Sequence, residues 1–308
     1  MELFRYLITV EYDGTAYCGW QRQKNGVSIQ QTTESAWRVF FDEDITLHSA
    51  GRTDAGVHAH AMPAHFDSRF ELPPKKIVHI FNSALPRDIC VKTAQRTHNN
   101  FNARFCAVKK TYRYLIHNSP VKPALLSNRA AHIRQPLDLE AMRTAAQHFL
   151  GTHDFKAFCA SGSKVKDFVR TVYELTAELP AGLRSAGALL VTPANHNVAA
   201  SSKQDSIASG DRDPAGSSTT LPASSSKINN GCGGLSPDTQ NCGGLIEITV
   251  TGNGFLYNMV RIIAGTLVAV GSGKIKAEQI PDIIKSKNRR LAAKTLPPWG
   301  LYLVEVFY

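Results

Sequence analysis

Gly51-Arg52-Thr53-Asp54-Ala55-Gly56-Val57-His58-Ala59 sets a lone carboxylate between two glycines, with an arginine two residues before it. Ile45 to Ala50 reads as a strand leading in, and Val57 to Phe66 reads as a strand leading out. Glycine reaches backbone angles closed to other residues, so Gly51 and Gly56 can turn the chain and hold Asp54 at a loop tip. If Arg52 reaches Asp54, it favours the ionised carboxylate and lowers its pKa, which suits a nucleophile better than a proton donor. The same spacing fits an Asp/Gly turn with a surface ion pair, and spacing alone leaves both readings open.

Outward from this stretch, composition narrows the partner. Among 308 residues, 35 Lys and Arg stand against 25 Asp and Glu, a formal charge of +10. Such an excess favours a polyanion, either nucleic acid or an acidic membrane surface. No basic amphipathic helix stands out and no apolar run is long enough to cross a bilayer, which argues against the membrane. Met1 to Leu7 has neither a secretory nor a transit-peptide layout, so the expected location is the cytoplasm. The six cysteines contain no C-x-x-C and read as reduced thiols. For Cys232 and Cys242, each followed by Gly-Gly-Leu, a redox bridge or metal clip is the alternative.

Upstream, Tyr6, Ile8, Val10 and Tyr12 alternate as one face of a strand. Trp20 follows in a loop with Arg22 and Lys24, where an aromatic beside cations suits RNA as well as a plugged core edge. Ser28 and Gln31 form a capping box for a helix to about Phe41, with Trp37, Phe40 and Phe41 on its apolar face. His58 and His60 share a strand face but lack thiolate or carboxylate partners at usable spacing, so no metal is expected.

Downstream, a helix from Pro73-Pro74 to near Asn82 and a strand from Ile89 to Arg96 lead to a basic, Asn-rich stretch ending at Arg104. In the strand Val108–His117, period two puts Lys110 with Tyr112 and Tyr114. Asp138 caps a helix to about Leu150, stopped by Gly151. Phe168–Glu178 is a strand with Val169, Thr171, Tyr173 and Leu175 on one side. From about Pro180 to Gly244, beyond an apolar island at Leu189–Val191, Ser, Ala, Gly, Asn, Thr and Pro dominate. Such a composition buries too little apolar surface to offset chain entropy, and a disordered insertion between two strands is expected. A helix from about Leu256 to Val270 carries Arg261 on a small, polar face, where a buried arginine needs a partner. Its partner is a structural carboxylate, Asp54 or a substrate phosphate. A helix from Ala277 to about Ser286 precedes basic Lys285–Arg290, whose Arg289 and Arg290 are candidate phosphate contacts. A strand from Leu301 to Tyr308 closes the chain. The irregular alternation of elements predicts an α+β fold with a mixed, mainly antiparallel sheet.

Five blocks stand in order: Val10–Gln23, Gly51–Ala59, Phe101–Phe105 with Lys110–Tyr114, Gly252–Arg261, and Gly300–Leu303. In this order they resemble the tRNA pseudouridine synthase A family. The resemblance implies two α/β lobes sharing one sheet, residues 1–105 and 106–308, with a central cleft. The family usually joins the strands around the insertion by a short turn. The resemblance further implies uridine isomerisation on the 3′ side of the tRNA anticodon stem-loop, without a cofactor. Asp54 would be the nucleophile, Arg52 and Arg261 would lie near its carboxylate, and Tyr112 would lie against the target base. It also implies a homodimer with one tRNA spanning both subunits. Candidate RNA contacts are Trp20, Arg22, Lys24, Arg104, Lys110, Arg289 and Arg290. The residues themselves agree with this chemistry. Glycoside hydrolysis needs a carboxylate pair, a nucleotide-driven reaction needs a phosphate cradle, and neither is evident around Asp54. A nonenzymatic RNA-binding protein on the same fold is the competing expectation.

Overall fold

The alternation at the start becomes strand β1 (Phe4–Tyr12), with Tyr6, Ile8, Val10 and Tyr12 all buried. The computed structural model describes residues 2–163, 165–180 and 244–308. The expected disordered insertion, its apolar island and Cys232 and Cys242 lie outside the described residues. Strand β2 is His48–Ser49, β3 is His58–Ser68, β4 is Ile89–Arg96 and β5 is Lys109–Asn118. Then come β6 (Ala131–Ile133), β7 (Gly151–Asp154), β8 (Val169–Glu178), β9 (Leu245–Gly252) and β10 (Leu301–Phe307).

These strands make one sheet in the order β4-β1-β3-β10-β5-β9-β8-β7, with β2 added to β3 and β6 to β5. Pairing is antiparallel except for β10 with β3 and β5 with β6. The sheet is therefore mixed and mainly antiparallel, as the irregular alternation of elements implied. Its decisive feature is the last strand. Leu303 of β10 faces Ala59 of β3 on one side and Tyr112 of β5 on the other. The Asp54 turn and the Tyr112 strand, distant in sequence, are thereby brought within about two strand spacings, on the order of 10 Å.

Helix α1 (Ile29–Phe41) is capped by Ser28, whose hydroxyl accepts from Gln31 N at 3.2 Å. It packs on α2 (Pro74–Ala84), which lies along β4. Asp138 caps α3 (Leu139–Gln147), accepting from Ala141 N at 3.0 Å. This helix packs on β8 and on α4 (Met259–Gly271), which touches β5. Helix α5 (Ile280–Ser286) follows a single 3-10 turn at Ala277–Gln279. All described residues fall within one compact unit.

Local departures from the pattern have local causes. The strand expected over Ile45–Ala50 shrinks to His48–Ser49. The backbone of Leu47 is taken by α1 side chains, Glu34 accepting from its N–H at 2.9 Å and Gln30 donating to its carbonyl at 3.3 Å. Phe40, expected on the apolar face of α1, is exposed, while Trp37 is fully buried against Phe41, Phe66 and Phe81. In β8 the buried side chains are Val172, Leu175 and Ala177, because a register shift between Val172 and Glu174 reverses the facing partway along. Helix α4 begins later than expected because Asn258 takes the left-handed conformation, φ 60°. The short strands β6 and β7 carry too few residues for an alternation to be visible.

Candidate active site

The turn between β2 and β3 is held from several sides. Ala50 N donates to Pro63 O at 2.9 Å, and the Lys110 ammonium donates to Ala50 O at 2.6 Å. Thr53 turns inward to share a 2.7 Å hydrogen bond with the Tyr12 hydroxyl, and its carbonyl accepts from Trp20 N at 3.1 Å. Val57 N closes the turn on Asp54 O at 3.2 Å. Gly56 has φ +77°, so it is the glycine that supplies a turn angle. The small size of Gly51 serves another end, since a Cβ there would lie 3.2 Å from Lys110 Nζ.

Asp54 thus projects at the end of a braced turn, its side chain 39% exposed. It meets Arg261, whose Nη1 lies 3.3 Å from Asp54 Oδ2. Arg261 stands in the first turn of α4 and is itself only 14% exposed. Two further bonds aim its guanidinium, Nη1 to Asn258 Oδ1 at 2.7 Å and Nε to Leu296 O at 2.8 Å. Of the partners the sequence allowed for Arg261, Asp54 is within contact distance. Tyr112 is nearly buried, its ring edge-on to Phe255 with centroids 5.2 Å apart. These groups line a cleft of about 730 Å³ with Trp20, Lys110 and Arg104 along its walls.

The expected contact of Arg52 with Asp54 is corrected by the structure. Arg52 is exposed and its Nε donates to Gln21 Oε1 at 3.0 Å, while the charge beside Asp54 comes from Arg261. Arg52 nevertheless lines the same cleft as Asp54. The expected electrostatic balance is corrected too. Burial raises the Asp54 pKa above the ordinary carboxylate value, and the charge and hydrogen bond of Arg261 oppose that rise without overcoming it. Burial, with the Asp54 charge, likewise raises the pKa of the Tyr112 hydroxyl. Lys110 is shifted downward by burial and by the Arg104 charge.

The remaining candidates divide. Trp20 is 1% exposed and packs on Tyr12, so the core-edge reading holds rather than an open stacking surface. Arg22 is ion-paired with Glu34, and Lys24 is exposed. Arg104 is exposed at the cleft wall. Arg289 is turned onto its own loop, donating to Ala292 O, Ala293 O and Thr295 Oγ1, whereas Arg290 is exposed. His58 is buried, its Nε2 within 2.9 Å of Asn128 O and 3.1 Å of Trp299 O. Among the described residues no group of His, Cys, Asp and Glu gathers as a metal site, and the cysteines there are free. No helix among them is long and apolar enough to cross a membrane.

Sequence reasoning missed the supports of the site. Lys110 is a brace of the Asp54 turn, and the Thr53–Tyr12 pair ties that turn to β1. The Leu296 segment fits over Gly265, where a Cβ would fall 2.0 Å from Lys294 O. The small Gly265, four residues after Arg261, was the available signal.

A profile described as tRNA pseudouridine synthase matches residues 8–106 and 145–308. The chain is 40% identical to a tRNA pseudouridine synthase A of Caldicellulosiruptor bescii over 304 aligned residues, 98% of each chain. It is 38% identical to that of Acetivibrio thermocellus and 36% identical to that of Geotalea daltonii, again over 98% of both chains.

Proposed function

The chain belongs to the tRNA pseudouridine synthase family, and from that membership we propose that it isomerises uridine on the 3′ side of the tRNA anticodon stem-loop, with Asp54 as nucleophile. The observation that carries this reading is the Asp54–Arg261 pair, 3.3 Å apart in a cleft bordered by Tyr112. The reaction breaks the N1–C1′ bond and forms a C5–C1′ bond, while N1 gains a proton and C5 loses one. It therefore balances without oxidant, hydrolysis or cofactor.

In this reading Tyr112 covers the face of a uracil flipped out of its stem, since a base inside a duplex cannot otherwise be reached. Arg261 offsets part of the cost of keeping Asp54 charged in a partly dry site. Lys110, Arg104 and Arg52 supply positive charge along the cleft for the phosphates. The proposal includes residues 1–105 and 106–308 as two lobes, with β10 lying between β3 and β5. It also includes a cytoplasmic homodimer with one tRNA across both subunits, a reading supported by family membership alone.

The test is pseudouridine mapping of tRNA incubated with the purified protein and no added cofactor. Wild type should produce pseudouridine at anticodon-stem uridines. Asp54→Asn should produce none while tRNA affinity stays within about threefold, the pattern of a group that acts only in the transition state. An active Asn variant rejects the nucleophile, and a wild type without product rejects the reaction.

A further inference from the structure

Phe105 is 79% exposed, and it stands at the wall of the cleft that holds Asp54. A single exposed apolar side chain is ordinary on a protein surface. This one is distinguished by how firmly its backbone is held. Asn102 Oδ1 accepts from Arg104 N at 2.9 Å and from Phe105 N at 3.1 Å, while Asn102 O accepts from Cys106 N at 2.9 Å. Ala103, two residues away, is fully buried; its N–H donates to His65 Nδ1 at 3.1 Å and its carbonyl accepts from the Tyr308 hydroxyl at 3.0 Å. Phe101 packs on both of those rings. The turn is thus anchored on β3 and on Tyr308, and the exposed phenyl ring projects from a backbone held by these bonds.

Next to the ring lies positive charge. The Arg104 guanidinium is 5.7 Å from the Phe105 centroid, and Lys110 shares the wall. An exposed ring with a guanidinium over it matches a single-stranded nucleotide, whose base stacks on the ring while its phosphate meets the charge. A backbone already held in place loses little further freedom on binding, so more of the stacking energy appears as affinity. We propose that Phe105 is a binding residue that stacks on an unpaired base neighbouring the target uridine, with Arg104 on that nucleotide's phosphate. This rests on the RNA substrate of the preceding section.

The experiment uses the full-length protein and anticodon stem-loop RNAs in which the loop nucleotides are made abasic one at a time. Wild type must first bind and modify the intact RNA; if it does neither, the substrate reading fails, whatever Phe105 does. Phe105→Ala should then weaken binding by about 5- to 150-fold, the range of one lost base–aromatic stack. The rise should appear in KM with kcat little changed. Phe105→Trp should restore affinity and show tryptophan quenching on RNA addition, and Phe105→Leu should not restore it. One abasic position should weaken wild type but cost Phe105→Ala nothing further. Val108→Ala, a control at a 61% exposed apolar position that does not line the cleft, should bind as wild type does. Three results would each overturn the proposal. These are unchanged binding by Phe105→Ala, additive losses at every abasic position, or an altered sedimentation state with RNA affinity intact. The last would make Phe105 a contact between copies.

Discussion

Asp54 is both the most recognisable residue of the site and the one whose environment the sequence described least well. Its motif placed it at a turn, but the guanidinium beside it arrives from α4 rather than from Arg52 two residues away. Both side chains border the same cleft, but Arg52 is held by Gln21, and so short spacing in sequence did not become an ion pair. The pH dependence follows from the same geometry. The folded-state pKa of Asp54 is raised by burial, so in its proposed role as an ionised nucleophile it should lose activity as pH falls through that raised value. Arg261 is the group that limits the rise. Arg261→Met should therefore move the acid limb of the pH–rate profile further up. It should also cut kcat/KM at neutral pH by about a hundredfold, the scale for losing one fixed charge donor. Lys285→Met, at an exposed lysine in the last turn of α5, should leave the profile where it was. An unmoved acid limb in Arg261→Met would separate the arginine from the carboxylate.

At the scale of elements, period and capping residues identified most strands and helices, because both signals are local. β1, β4 and α2 form where alternation, proline or helical spacing put them. What local pattern cannot carry is competition for backbone groups, as where Glu34 and Gln30 of α1 take Leu47 out of β2. The joint between β1 and β3 is another such case. Gly14, in the turn after β1, sits so close to the Asp54 turn that a Cβ would lie 2.0 Å from Val57 O. Gly14→Ala must therefore displace one of two backbones. It should destabilise the protein by about 1–3 kcal/mol, as overpacking does, measured by urea unfolding. Activity should fall by more than the unfolded fraction explains, because the displaced carbonyl belongs to the turn that carries Asp54. Wild-type stability in this variant would show that the joint is loose.

For the molecule as a whole, the antiparallel pairing of β8 with β9 makes a specific demand on the segment between them. Ala177 faces Ile248 and Glu178 faces Glu247, so the chain leaves and re-enters the sheet at adjacent points. A hairpin turn suffices for that geometry, and long closed loops add little entropy cost over short ones. Replacing residues 181–243 by a turn of about four residues should keep the thermal melt and the pseudouridine yield near wild type. A folded but inactive replacement would assign the segment a part in the reaction.

The roles of Asp54, Tyr112 and Arg261 are what the family resemblance implies, whereas the sequence read alone determined the class of fold, the placing of Asp54 at a turn and the net positive charge of the chain. Each of these is written in residue type, short spacing or total charge. Only the tertiary structure decided that β10 would lie between β3 and β5, that Arg261 rather than Arg52 would face the carboxylate, and that burial would outweigh its charge. Those outcomes depend on which distant backbones pair and on how much water they exclude. Neither quantity belongs to any one stretch of the chain.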